Sequence, residues 1–121
     1  VLNHRDWVAA DRQRAGLSHR LRLFFAECDL LLCPVLPTTA LRHDARPHDQ
    51  RVITVDERQL AWDDQGQWLK LASVAGLPAT VMPIGRGAGG LPIGVQIIGP
   101  ALEDRTPLAF AALLERELSA A

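Results

Sequence analysis

The chain has 121 residues, 48% of them hydrophobic, and a formal net charge of −1 from 13 Lys and Arg against 14 Asp and Glu. That composition suits one globular unit over residues 1–121, burying roughly two thirds of its unfolded surface, and excludes a disordered tail. There is no basic stripe to bind nucleic acid or anionic lipid, no apolar run near the roughly twenty residues that span a bilayer, and no apolar signal core at the N-terminus; the expectation is no nucleic-acid or membrane partner and a cytoplasmic location.

From Arg5 to about Glu27, the apolar residues Leu17, Leu21, Phe24, Phe25 and Cys28 recur at the 3.6-residue period of an amphipathic helix. The run Leu30-Leu31-Leu32-Cys33-Pro34-Val35 that follows is apolar throughout, too short for a helix and closed by prolines, which predicts an interior strand buried on both faces. Cys28 and Cys33 read as buried small hydrophobes and free thiols rather than a disulfide. Thr38 to Gln50 lacks periodicity and reads as a solvated polar loop. Val52 to Val55 suits a short strand before the turn residues Asp56, Glu57 and Arg58.

Asp63 and Asp64 are candidate caps for a second helix with Trp68, Leu71, Ala72 and Ala75 on one face, stopped by Gly76 and Pro78. Ala79 to Ile84 and Leu91 to Gly99 read as strands, and the glycines of Gly85-Arg86-Gly87-Ala88-Gly89-Gly90 between them could cradle a phosphate or only turn a hairpin. A phosphate cradle needs a glycine loop that opens a helix, whereas here a strand follows, so the turn is favoured. Asp104 or Thr106 can cap a last helix with Pro107 in its first turn and Phe110, Leu113, Leu114 and Leu118 on one face. The order of elements is α/β, a sheet with flanking helices.

Chemistry is sparse in the residues themselves. Ser18 and Ser73 fall within helices and Ser119 at a helix end, none in the glycine-rich setting of a nucleophile elbow. Cys28 could pair with His43, but nothing beside it would lower a thiol pKa. Zinc prefers closer ligand pairs than the four-residue gaps of Cys28/Cys33 and His43/His48, so neither metal nor cofactor is expected.

Three segments carry a resemblance: "DLLLCPVLPTTA", "WLKLASVAGLPATVMPIG" and "GLPIGVQIIGPALEDRTPLAFAALLERE", with "NHRDWVAADRQR" before them. Their spacing resembles the C-terminal part of the amidase signature family, over nearly the whole chain except about Thr38 to Val52. The resemblance implies a mixed sheet with flanking helices, the C-terminal part of the amidase signature fold, and the hydrolysis of a small-molecule amide. Family members are similar in using a serine nucleophile, a second serine in a cis peptide bond and a lysine, set in a lysine-containing segment and a Gly/Ser-rich segment upstream of these motifs. The single lysine, Lys70, matches neither the setting nor the order of that lysine, and no Gly/Ser-rich run is present. No catalytic residue carries over.

With Val1 in place of an initiator Met, these features lead to the expectation of a C-terminal fragment, inactive alone, whose orphaned strand edges would drive it to form a homo-oligomer. The alternative is a free-standing, non-catalytic α/β interaction module. The resemblance further implies that Leu36, Pro37 and Trp68 flank a substrate pocket, although Trp68 also suits core packing. Ser73 stands where many members have Asn.

Overall fold

The structure is a computed structural model and describes residues 2–120. Helix α1 runs from His4 to Phe24, and Asn3 caps it: its side-chain oxygen accepts from the Asp6 amide at 3.0 Å, while its side-chain nitrogen donates to the Asp6 carboxylate at 2.8 Å. The first of these bonds satisfies an amide that the opening turn cannot satisfy within the helix. The helix ends three residues before the predicted boundary, and Cys28 beyond it is exposed, not buried as the periodicity implied. The apolar stripe outlasts the helix because Phe25 still packs inward after the backbone has turned.

Strands β1 (Leu31–Pro34), β4 (Ala79–Arg86) and β5 (Pro92–Ile98) form one antiparallel sheet in the order β1-β5-β4. The predicted interior strand is corrected to an edge: among the described residues β1 pairs only with β5, and Leu32 is 50% exposed. The central strand is β5, whose Ile97 and Ile98 are wholly buried. A continuous apolar run cannot tell an edge from a centre, since both bury at least one face. The glycine segment is a hairpin turn, closed by Gly87 and Leu91 at 2.9 Å with Gly90 at φ 75°. A bulge between Pro83 and Gly85 leaves Ile84 out of register.

Strands β2 (Val52–Val55) and β3 (Arg58–Ala61) make a separate hairpin. Its two turn residues, Asp56 and Glu57, have φ of 46° and 66°, as a two-residue turn that matches strand twist requires. Arg58 thus begins a strand where turn chemistry alone predicted more of the turn. A 3-10 turn, Trp62–Gly66, then leads into α2 (Gln67–Ala75). Asp63 and Asp64 lie inside that turn instead of capping the helix, whose N-cap position is held by Gly66 without a side-chain bond.

Gly76 closes α2 in the left-handed region, at φ 68° and ψ 40°. The Leu77 amide reaches back to the Ala72 carbonyl at 3.0 Å and the Gly76 amide to Ser73, so two terminal carbonyls find donors. Helix α3 (Arg105–Ala120) carries Pro107 in its first turn as expected. Of its predicted face, Phe110 and Leu114 are half-buried but Leu113 and Leu118 are largely exposed.

Helix α1 packs on α2, and α3 packs on β4 and β5. The core joins Cys33, Ala72 and Ile98, with Phe25, Leu31, Leu71 and Leu77 against them, so α2 covers one face of the sheet. Ile97 alternates to the other face. There the chain returns tightly: Gly99 lies under Pro107, where α3 begins.

Candidate functional site

One face of the sheet gathers the residues of interest. β5 turns Gly94, Gln96 and Ile98 to the same side by strand alternation. Ile98 enters the core, and the Gln96 side chain, 3% exposed, donates to the Cys33 Sγ at 3.2 Å and to the Trp68 carbonyl at 3.1 Å. Those two bonds tie β5 to β1 and to the first turn of α2. Gln96 is the buried polar residue of this core, and burial without such partners would cost about 1–3 kcal/mol. Gln96 is the fixed glutamine of the G-L-P-x-G-x-Q-x-I-G-P spacing in the quoted segment GLPIGVQIIGP, but that spacing assigned it no role; the further signal was one amide in the middle of an apolar strand, Gly94-Val95-Gln96-Ile97-Ile98.

Beside it, Gly94 floors a cavity of about 540 Å³. A Cβ at Gly94 would meet Val35 and Val81 side chains and the Met82 carbonyl at 3.4 Å, so the missing side chain lets the loop after β1 lie directly on the hairpin. That loop, residues 35–40, supplies Leu36 and Pro37 to the cavity wall, and a Cβ added at Gly87 would lie 3.2 Å from Thr39 Cγ2. The lining has no charged side chain.

Of the three pocket candidates, the structure brings Leu36 and Pro37 together in this cavity. Trp68 is placed on the same side of the sheet through its carbonyl bond to Gln96, but it is not part of the lining and is 41% exposed. Its exposure also sets it apart from the core cluster.

The hydroxyls and the lysine are engaged locally. Ser18 donates to the Arg14 carbonyl and lies 3.4 Å from the Ala75 carbonyl, Ser73 donates to Leu69, and Ser119 to Glu115. Lys70 Nζ reaches the Asp63 carbonyl at 3.3 Å. None of these contacts pairs a nucleophile with a base. Among the described residues, no group of three or more His, Cys, Asp or Glu side chains could hold a metal ion, and no helix is long and apolar enough to cross a membrane.

The middle loop is pinned by charges at the surface. Asp44 accepts from the Arg46 guanidinium at 2.7 Å and 3.0 Å and from its backbone amide at 3.0 Å. These bonds hold the Asp44 carboxyl down to about 2 and raise Arg46. Arg51 donates to the Arg46 carbonyl at 2.7 Å and stacks over Trp62, while His48 lies 3.2 Å from Asp63. Such exposed pairs fix a loop conformation more than they stabilise the fold.

Known proteins resemble this chain. The family model described as Amidase matches residues 1–108. A glutamyl-tRNA(Gln) amidotransferase subunit from Zymomonas mobilis is 30% identical over 109 residues, which are 90% of this chain and 20% of that protein. The protein of the same name from Wolinella succinogenes is 30% identical over 112 residues, 93% of this chain and 23% of its own length. A solved structure described as an amidase superposes with a TM-score of 0.79 at 26% identity, over 96% of this chain and 26% of that one. The chain thus spans about a fifth to a quarter of the length of the proteins it matches.

Proposed function

We propose that this chain, which belongs to the amidase family, forms the C-terminal part of an amide-bond hydrolase domain. In this reading it supplies three strands and one wall of the substrate cleft, while the nucleophile and base come from residues outside it. The observation that carries the reading is the family match over residues 1–108, together with relatives four to five times longer. The local engagement of Ser18, Ser73, Ser119 and Lys70 supports it, because a nucleophile needs a base within hydrogen-bond reach. Leu36 and Pro37 form the wall, and Trp68 lies outside the cavity lining, on the same side of the sheet, with its carbonyl bonded to Gln96. The substrate is a small amide, met in the cytoplasm, and the hydrolysis uses no cofactor.

The test compares two proteins. The 121-residue chain should not hydrolyse simple aryl amides above background, since the nucleophile, base and oxyanion donors are each worth orders of magnitude in rate. The full-length gene product should hydrolyse them. Turnover by the chain that persists after Ser18, Ser73 and Ser119 are all replaced by alanine, and Cys28 and Cys33 by serine, would place a catalytic group elsewhere and overturn the reading.

When expressed alone, the chain is proposed to self-associate. The sheet has free edges at β1 and β4, and Leu32 and Val81 on them are each at least half exposed. Unpaired edges recruit strands from other chains. Sedimentation at micromolar concentration should show a dimer or larger species; a stable monomer would count against it.

A further inference from the structure

We infer that residues 41–66 form a hinged flap, rooted at the rim of the cavity between the 35–40 loop and the β4–β5 hairpin, which opens as one unit while the three-stranded sheet stays folded. The inference goes beyond the amide-hydrolase reading and needs no catalytic group. Strands β2 and β3 pair only with each other among the described residues, so their hairpin takes no part in the main sheet. A two-stranded hairpin by itself is marginal in water. One face of it carries Ile53 and Val55 on β2, with Leu60 opposite Ile53 on β3. Ile53 is wholly buried, yet it lies outside the core that joins Cys33, Ala72 and Ile98. The flap therefore has a small core of its own, and the hairpin packs chiefly on the 3-10 turn Trp62–Gly66.

The polar contacts follow the same division. Among the described residues, the hydrogen bonds and ion pairs of residues 41–62 stay within 41–66: Asp44 with Arg46, Arg51 with the Arg46 carbonyl, and His48 with Asp63. The Trp62 ring under the Arg51 guanidinium, at 5.6 Å, belongs to the same segment. Two chain crossings join the flap to the body, with a side-chain bond at the root from Lys70 Nζ on α2 to the Asp63 carbonyl at 3.3 Å. The first crossing, Thr38 to Ala40, lines the cavity, which puts the flap at its rim. The second is Gly66, which precedes α2 without a side-chain capping bond. Exposed ion pairs are weak pins, whereas the β4–β5 ladder is anchored by the wholly buried Ile97 and Ile98. A segment with few buried apolar contacts opens at lower free energy than the core strands.

Hydrogen exchange of the full-length gene product, read by mass spectrometry, is the test. Amides of the β2–β3 ladder should exchange together, about a hundredfold faster than those of β5. Arg51→Ala removes both the bond to the Arg46 carbonyl and the cation over Trp62. It should speed exchange of the β2–β3 ladder about fivefold and leave β5 unchanged. Gly66→Ala should act in the opposite sense. Gly66 has φ −82° and ψ 8°, which alanine adopts, and an added Cβ would come no closer than 3.6 Å, to Lys70 Cε. Stiffening that hinge should slow exchange of the ladder about two- to fivefold. Equal protection of β2–β3 and β5, or an Arg51→Ala effect of the same size in both, would overturn the inference, because the flap would then open only with the whole fold. Faster exchange in Gly66→Ala would overturn it as well, by removing the hinge. Amide hydrolysis is read in none of these arms. A gene product that lacks it can still show the flap, and an active one with a fully protected β2–β3 ladder defeats the flap and leaves the amidase reading standing.

Discussion

Gly99 is the position where a single methyl group should do most damage. It follows the last residue of β5, and an added Cβ would lie 2.7 Å from Pro107 Cδ and 3.2 Å from Pro107 Cγ. Carbon atoms do not approach that closely, so something must move. The obstacle is a ring locked into the first turn of α3 and itself wholly buried, with no flexible end to swing aside. Relief therefore requires α3 to shift away from the sheet, which loosens the cover over Ile97. Overpacking of this kind costs about 1–3 kcal/mol. For a chain of this size that is roughly 3–15 °C in Tm. Differential scanning calorimetry of Gly99→Ala gives the magnitude, and the double variant with Pro107→Ala gives the cause. If the clash is with the ring, the two substitutions together should cost less than their sum by about 0.5–3 kcal/mol. A Tm within about 1 °C of the parent, or simple additivity with Pro107→Ala, would refute the steric account.

Gly76 offers the contrasting case, because a Cβ there meets nothing within 4 Å and only its φ of 68° objects. Gly76→Ala should cost about 1–2 kcal/mol in urea unfolding, and Gly76→Asn less, since Asn tolerates the left-handed region better. Gln96→Glu replaces a donor by a carboxyl facing two acceptors, Cys33 Sγ and the Trp68 carbonyl. Burial raises the folded pKa of that carboxyl above its unfolded value, so its stability penalty is absent at low pH and grows as pH rises; the loss should exceed about 2 kcal/mol at pH 7. Equal stability of this variant at pH 4 and pH 7 would show that Gln96 is not sealed from water. Asp44 has the opposite sign. Its folded pKa is lowered to about 2 by Arg46, so its contribution is fully present above the ordinary value of 3.8 and is lost as pH falls through about 2. Carboxyl NMR should find that midpoint near 2 in the parent and near the ordinary value in Arg46→Ala.

What the sequence determined by itself was local. The long first helix, the Gly76 stop, the strand at Val52, the glycine hairpin and the Pro107 helix all follow from turn chemistry and periodicity within a few residues, and the structure keeps them. The quoted motifs also carried the family. The tertiary structure decided what depends on which elements become neighbours. Whether Leu31–Pro34 is an edge or a centre is a question of strand order, and an apolar run looks the same in either place. Gln96 gains its meaning from Cys33, 63 residues away, and from Trp68, 28 residues away. Hydrogen bonds and cavities are made between segments, so no pattern within one segment can announce them.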